Sequence, residues 1–179
     1  EMCIRDRDMW DRIIRGARVV DPKNGFDGIA DVAIEDGRVA AVATSLAGRG
    51  KVDEEADGLV LMPGLIDSHL HLGSVFGSAY GQRMAALAGV TTCLDMASPF
   101  TDILGTIPYA GAGINVASIE GFSPDALFGT LSPTRGEIRS WLEKTVEAGS
   151  VGVKLMGGHW PLPLETCRSV VAVSYTHLR

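Results

Sequence analysis

The chain has 179 residues, 46% of them hydrophobic and 21% charged, the balance of a globular protein with a real core and not of a disordered or fibrous one. A formal net charge of -6 with no Lys/Arg cluster argues against a nucleic-acid partner and points to a small molecule. Three cysteines, Cys3, Cys93 and Cys167, with no C-x-x-C pair give neither a disulfide framework nor a zinc finger and suit a reducing cytoplasm, while no apolar stretch reaches the ~18 residues of a membrane span.

The elements follow in chain order. The first residue is Glu1, and the terminal stretches EMCIRDR and VSYTHLR resemble translated sequencing-adapter read-through. Residues 1–7 and 173–179, the latter including His177, are therefore expected to be non-native tails around an authentic segment from Asp8 to Ala172. The opening is also unlike a signal peptide. Residues 8–61 read as strands of a small β-domain: IIRGARVV, a turn at Asp21 to Gly25, then ADVAIEDGRVAAV, where Asp36-Gly37 between alternating apolar residues is a hairpin signal. After Pro63-Gly64 the pattern over residues 62–172 changes to strands separated by helical stretches, as in βα units on a parallel sheet.

Four strands are expected there, at 65–71, 90–96, 114–119 and 151–156. Tyr80, Met84, Leu87 and Ala88 form one apolar helical stripe that stops at Gly89. A later helix opens with Thr134 and Glu137 in capping-box spacing, carries Ile138, Trp141, Leu142 and Val146 on one face, and ends near Gly149.

Two histidines close the first of these strands in VLMPGLIDSHLHLG. At i and i+2 on a strand, His69 and His71 project the same way and can grip one ion. Asp67 shares their parity, which suits a supporting hydrogen bond to a metal-bound imidazole as well as a plain structural carboxylate. In SVGVKLMGG, Val151, Val153 and Leu155 share one face and Gly152, Lys154 and Met156 the other. In a (β/α)8 barrel the aliphatic face packs under the helices, so Lys154 points into the barrel near its C-terminal rim. Burial there favours the neutral amine, a nucleophile. Asp95 and Ser98 lie toward the same rim, within reach of a substrate, and His159 follows in the loop after Lys154. Cys93 falls mid-strand and reads as a packing thiol.

PGLIDSHLH resembles the strand-one signature of the amidohydrolase superfamily, and GVKLMGG its strand-four lysine segment. The resemblance covers nearly all of the segment between the tails. It implies the N-terminal half of a (β/α)8 TIM-type barrel preceded by strands of a small β-sandwich domain. It further implies a metal-dependent hydrolase of carbon-nitrogen bonds, like the dihydroorotase, dihydropyrimidinase and isoaspartyl dipeptidase branches. Carried over, His69 and His71 ligate the more buried of two divalent ions, zinc being the expected metal, and a carbamylated Lys154 bridges both. Ser98 and His159 become candidate contacts for a small-molecule amide substrate.

A full barrel takes about 250 residues, and about 108 are available from Leu65 to Ala172. The family's further histidines on strands five and six and its strand-eight aspartate, the general acid/base, are therefore expected beyond this chain, and no catalytic acid/base is assigned within it. The chain alone is expected to be inactive. Two departures bear on substrate: Gly73 stands where dihydroorotases carry the arginine of H-x-H-x-R, and Ser98 where they carry the asparagine of D-M-P-N. Dihydroorotate itself is thereby disfavoured, and a cyclic amide or N-acyl amino acid is expected. Two alternatives stay open, a mononuclear deaminase of the same superfamily and a non-catalytic barrel scaffold. A homo-oligomer is compatible with the sequence.

Overall fold

The computed structural model describes residues 9–73, 79–156 and 161–177. The chain divides into two compact units, Glu1–Pro63 and Gly64–Arg179.

The first unit is one mixed sheet. Strand β1 (Met9–Asp21) is flanked by β2 (Phe26–Glu35) and β4 (Arg49–Glu55); β3 (Arg38–Ala43) lies outside β2, and the short β5 (Val60–Leu61) also pairs with β1. The β1/β2 and β2/β3 pairs are antiparallel, whereas β4 and β5 run parallel to β1. Both turns anticipated from the sequence have a local cause. Asp21 Oδ1 accepts from the N–H groups of Lys23 and Asn24, an Asx-type closure of the β1–β2 turn. Asp36 and Gly37 both take positive φ, 51° and 70°, as the two-residue β2–β3 hairpin demands. Arg15 ties the sheet together, donating to Asp31 at 3.3 Å, to Asp53 at 3.0 Å and to the Leu46 carbonyl at 3.2 Å.

The second unit carries a four-stranded parallel sheet in the order β6 (Leu65–Leu70), β7 (Val90–Met96), β8 (Asn115–Phe122), β9 (Gly152–Leu155). It is the curled half of a barrel. Helices α1 (Ala79–Leu87) and α2 (Phe100–Ala110) follow β6 and β7, α3 (Pro124–Phe128) and α4 (Arg135–Glu147) follow β8, and α5 (Leu164–His177) follows β9. Parallel neighbours need such crossovers, so helix and strand alternate.

Helix α4 has both halves of its capping box: Thr134 Oγ1 accepts from the Glu137 N–H, and the Glu137 carboxylate accepts from the Thr134 N–H. Its buried face, Ile138 and Leu142, joins Phe122 of β8 and Val170 and Val173 of α5 in one core, with Trp141 edge-on to Phe122 at 5.2 Å. Each such apolar side chain contributes about 1.5–3 kcal/mol by leaving water. Helix α5 runs on to His177, into the stretch expected to be a tail, because Val173 sits one turn beyond Val170 and reaches the same core.

Helix α1 forms where its stripe is read, but with a different face inward. Tyr80, Met84 and Leu87 are exposed, and Gln82 and Ala85 are buried. Small residues explain this: a Cβ on Gly81 would come within 2.9 Å of Leu72 Cδ2, so the helix sits close to the segment that leaves β6 through Gly81, packs Ala85 with Leu72 and Cys93, and turns its large side chains outward.

Candidate metal centre on the barrel rim

The phase of each strand decides which side chains face the helices. On β9, Val153 and Leu155 pack against the Phe122 core, which places Lys154 on the opposite, inner face, half-buried and in register with Gly121 of β8. On β6, Leu70 packs with Leu72, Ala85, Cys93 and Ile114 on the helix side. His69 and His71 flank Leu70 and so take the inner face. All three candidate ligands lie at the C-terminal ends of parallel strands, the end at which open and closed α/β sheets carry their sites.

The structure brings the two imidazoles together, with ring centroids 5.4 Å apart at an interplanar angle of 68°. Two imidazoles on one tetrahedral zinc, each nitrogen about 2.0–2.1 Å from the ion, place their centroids about 5 Å apart, so the pair fits one ion. Lys154 belongs to the far edge of the sheet, three strand spacings or roughly 14 Å from β6 measured along it. The long lysine chain faces the imidazoles from there across the inner surface. Among the described residues no group of three His, Cys, Asp or Glu side chains assembles around a common point. His159 lies outside the described residues.

Asp67 is placed otherwise than strand parity suggests. The β6/β7 ladder pairs Asp67 with Cys93 and Leu70 with Asp95, three residues against two, so an irregularity intervenes. It puts Asp67 in register with the helix-facing Cys93, and the Asp67 carboxylate accepts from the His69 backbone N–H at 3.0 Å. Asp67 thus holds the backbone of the first histidine.

Asp95 and Ser98 are also turned away from the rim opening. Asp95 shares the helix face of β7 with Cys93, and the inner face is left to Leu94 and Met96. Asp95 is fully buried and Ser98 nearly so. The Ser98 hydroxyl donates to Asp95 Oδ2 at 3.1 Å and accepts from the Gly73 N–H at 2.8 Å. The Ser98 hydroxyl, expected as a substrate contact, is engaged within the fold as both donor and acceptor. Gly73 is fitted to it: a Cβ there would stand 2.7 Å from the Ser98 Cβ, so the glycine and the serine accommodate each other.

Cys93 is 1% exposed, and its thiol is pushed up to about 11 by burial, with Asp95 and Asp67 adding to the shift. It stays protonated at neutral pH and packs as an apolar group. Sequence reasoning gave no weight to Glu120. This half-buried carboxylate on β8 is raised from its ordinary value, first by burial and then by Asp95; the opposing influence is the Phe100 N–H at the start of α2, which donates to it at 3.1 Å. The α2 N-cap, Pro99, makes no side-chain cap hydrogen bond, so Glu120 supplies one from the neighbouring strand.

A half-barrel with two imidazoles and a lysine on its inner rim offers donor types that suit a divalent ion. Comparison with known proteins is more specific. No family model matches the chain. It is 36% identical over 150 residues to a dihydroorotase from a Geobacter species, spanning 79% of this chain and 35% of that protein. It is 36% identical over 154 residues to an allantoinase of Solibacter usitatus, spanning 82% and 32%. It superimposes with a TM-score of 0.77, at 20% identity, on N-acyl-D-glutamate deacylase from Bordetella bronchiseptica, a structure solved with zinc and a phosphonate mimic of the tetrahedral intermediate; 96% of this chain and 44% of that one are covered. The chain belongs to the amidohydrolase superfamily. It spans about a third of the length of the curated relatives it matches.

Proposed function

We propose that this chain is the metal-binding half of a hydrolase that cleaves a carbon-nitrogen bond in an amide or cyclic amide. The observation that carries the reading is the placement of His69, His71 and Lys154 on one inner face at the C-terminal rim of one parallel sheet, with the imidazoles spaced for a shared ion. Relatives named as dihydroorotase and allantoinase, and a neighbour solved with zinc, support it.

His69 and His71 would hold one divalent ion, zinc, through neutral ring nitrogens. Lys154 would join them as a carbamate: its neutral Nζ adds to the carbon of carbon dioxide and releases one proton, which leaves an anionic oxygen pair able to bridge a second ion. Such ions supply Lewis acidity that polarises a carbonyl and acidifies water. The chain's own part is to present these donors with fixed spacing on a rigid sheet edge. The partner is a small-molecule amide, and the compartment proposed from the free thiols is the cytoplasm. No helix among the described residues is long and apolar enough to cross a membrane. With Gly73 and Ser98 packed on one another, neither offers a side chain to a substrate carboxylate, which favours a substrate other than dihydroorotate.

Zinc titration of the purified chain tests this. Wild type is expected to bind zinc, His69→Asn and His71→Asn to lose it, and Lys154→Ala to lower the stoichiometry under added bicarbonate. Zinc binding unchanged in both histidine variants would overturn the proposal.

A further inference from the structure

We infer that Asp95 is a positioning residue for the His69/His71 pair, acting through the backbone that follows them; the inference rests on the metal-site reading above. The ladder between β6 and β7 ends at the pair Leu70/Asp95. Beyond it the chain has left the sheet, yet the N–H groups of Leu72 and Gly73 are engaged by side chains from the end of β7 and the turn that follows it rather than by backbone. Leu72 N–H donates to Asp95 Oδ2, and Gly73 N–H donates to Ser98 Oγ at 2.8 Å. Asp95 in turn orients Ser98, accepting its N–H on Oδ1 at 2.8 Å and its hydroxyl on Oδ2 at 3.1 Å. One carboxylate thus fixes, directly or through Ser98, the two residues immediately after His71.

Three features mark this as more than ordinary packing. Asp95 is 0% exposed and makes no ion pair among the described residues, a costly position for a carboxylate unless its hydrogen bonds are all needed. The turn it closes contains Ala97 at φ 97°, a strained conformation for a residue with a Cβ. The Ser98 carbonyl accepts from Ser118 Oγ at 3.2 Å, which extends the tie to β8. The exit of β6, where the imidazoles sit, is held by the neighbouring strands at the point where its own pairing stops. Backbone freedom at Leu72 would translate directly into freedom of the His71 ring.

The test compares Asp95→Asn, Ser98→Ala and His69→Asn in the full 179-residue chain, reading zinc affinity by competition with a chromophoric chelator and ligand geometry by the absorption spectrum of the cobalt(II) form. Asparagine cannot satisfy three donors with one acceptor oxygen, and an orienting partner of a metal ligand is typically worth 10–100-fold in affinity. We expect Asp95→Asn to weaken zinc binding by about that factor and to broaden the cobalt spectrum. Ser98→Ala should do so to a smaller extent, with hydrogen-exchange protection at Ile138 and Leu142 unchanged. His69→Asn should abolish binding. Loss of zinc in His69→Asn together with wild-type affinity and spectrum in Asp95→Asn and Ser98→Ala would overturn the positioning role alone. Wild-type zinc binding in His69→Asn would instead remove the metal site on which it rests. Should Asp95→Asn fail to fold, Ser98→Ala decides: an unchanged cobalt spectrum there counts against the inference.

Discussion

Replacing Gly73 by alanine should destabilise the second unit, and the same replacement should cost almost nothing further in a chain that already carries glycine at 98. Gly73 does not adopt a positive φ, so an alanine there meets no backbone penalty. The penalty is steric: the new methyl would stand 2.7 Å from the Ser98 Cβ and closer still to its Oγ. Ser98 has little freedom to retreat, since Asp95 holds its N–H and its hydroxyl and Ser118 holds its carbonyl. Overpacking of this kind costs about 1–3 kcal/mol, and displacement of the Gly73 hydrogen bond adds about 1 kcal/mol. At ~2–4 °C per kcal/mol for a chain of this size, Gly73→Ala should melt roughly 4–16 °C lower. Ser98→Gly alone leaves the buried Gly73 N–H without its acceptor and should cost about 1–3 kcal/mol. In the double variant the clash is gone, so its stability should lie near that of Ser98→Gly, a coupling of about 2–4 kcal/mol, the whole of the Gly73→Ala loss. Differential scanning calorimetry of the four proteins measures the cycle, and hydrogen exchange at the Leu72 and Gly73 amides localises it. Strictly additive losses, or a melting point for Gly73→Ala within a degree of wild type, would refute the claim that the two positions are in register.

Three further outcomes follow from the same region. Ala97→Gly should stabilise the chain by about 1 kcal/mol, read as a higher midpoint in urea, because glycine accepts the φ of 97° that alanine adopts only under strain. Cys93, buried and with its thiol pushed up to about 11, should resist alkylation at pH 8 under conditions that modify the half-buried Cys167, with peptide mass spectrometry assigning the sites. Glu120 binds its proton more tightly in the folded than in the unfolded state, so its ionisation opposes folding: the effect is absent below the ordinary carboxylate range and grows as pH rises through the raised value. Glu120→Gln, which keeps an acceptor for the Phe100 N–H, should therefore raise the melting point at pH 7 and leave it unchanged at pH 4; the opposite pattern would mean that the capping bond to α2 outweighs desolvation.

The strands of the half-barrel were legible because each is a short apolar run between helix signals, and α4 because Thr134, Glu137 and an apolar face three and four residues apart say the same thing. The Asp36-Gly37 hairpin was legible from its dipeptide. The parallel pairing of β1 with β4 was not, since it joins segments about forty residues apart and no local signal encodes a partner. The inward face of α1 was hidden for a related reason: hydrophobicity marks Tyr80, Met84 and Leu87, but close approach to Leu72 and Cys93 selects Gly81 and Ala85. On β7 hydrophobicity favours Val90, Thr92, Leu94 and Met96 as the helix-facing set, which turns Asp95 toward the rim opening in a reading of the sequence alone; packing of Cys93 against Ala85 sets the opposite phase.

That phase changes how two departures from the dihydroorotase pattern are understood. Taken one at a time, Gly73 and Ser98 look like two independent losses of substrate-binding side chains. In the folded chain they form one contact, in which the serine accepts the glycine's N–H and occupies the space a side chain at 73 would need. An arginine at 73 is sterically incompatible with Ser98 where it stands, and an asparagine at 98 would have to fit where the Gly73 backbone, Asp95 and Ser118 already converge. Restoring either residue alone should therefore damage the exit of β6 before it restores any affinity for a carboxylate. A chain carrying Gly73→Arg and Ser98→Asn together is therefore expected to melt higher than one carrying Gly73→Arg alone, with the Asp95 bonds to Leu72 and residue 98 deciding how much is recovered.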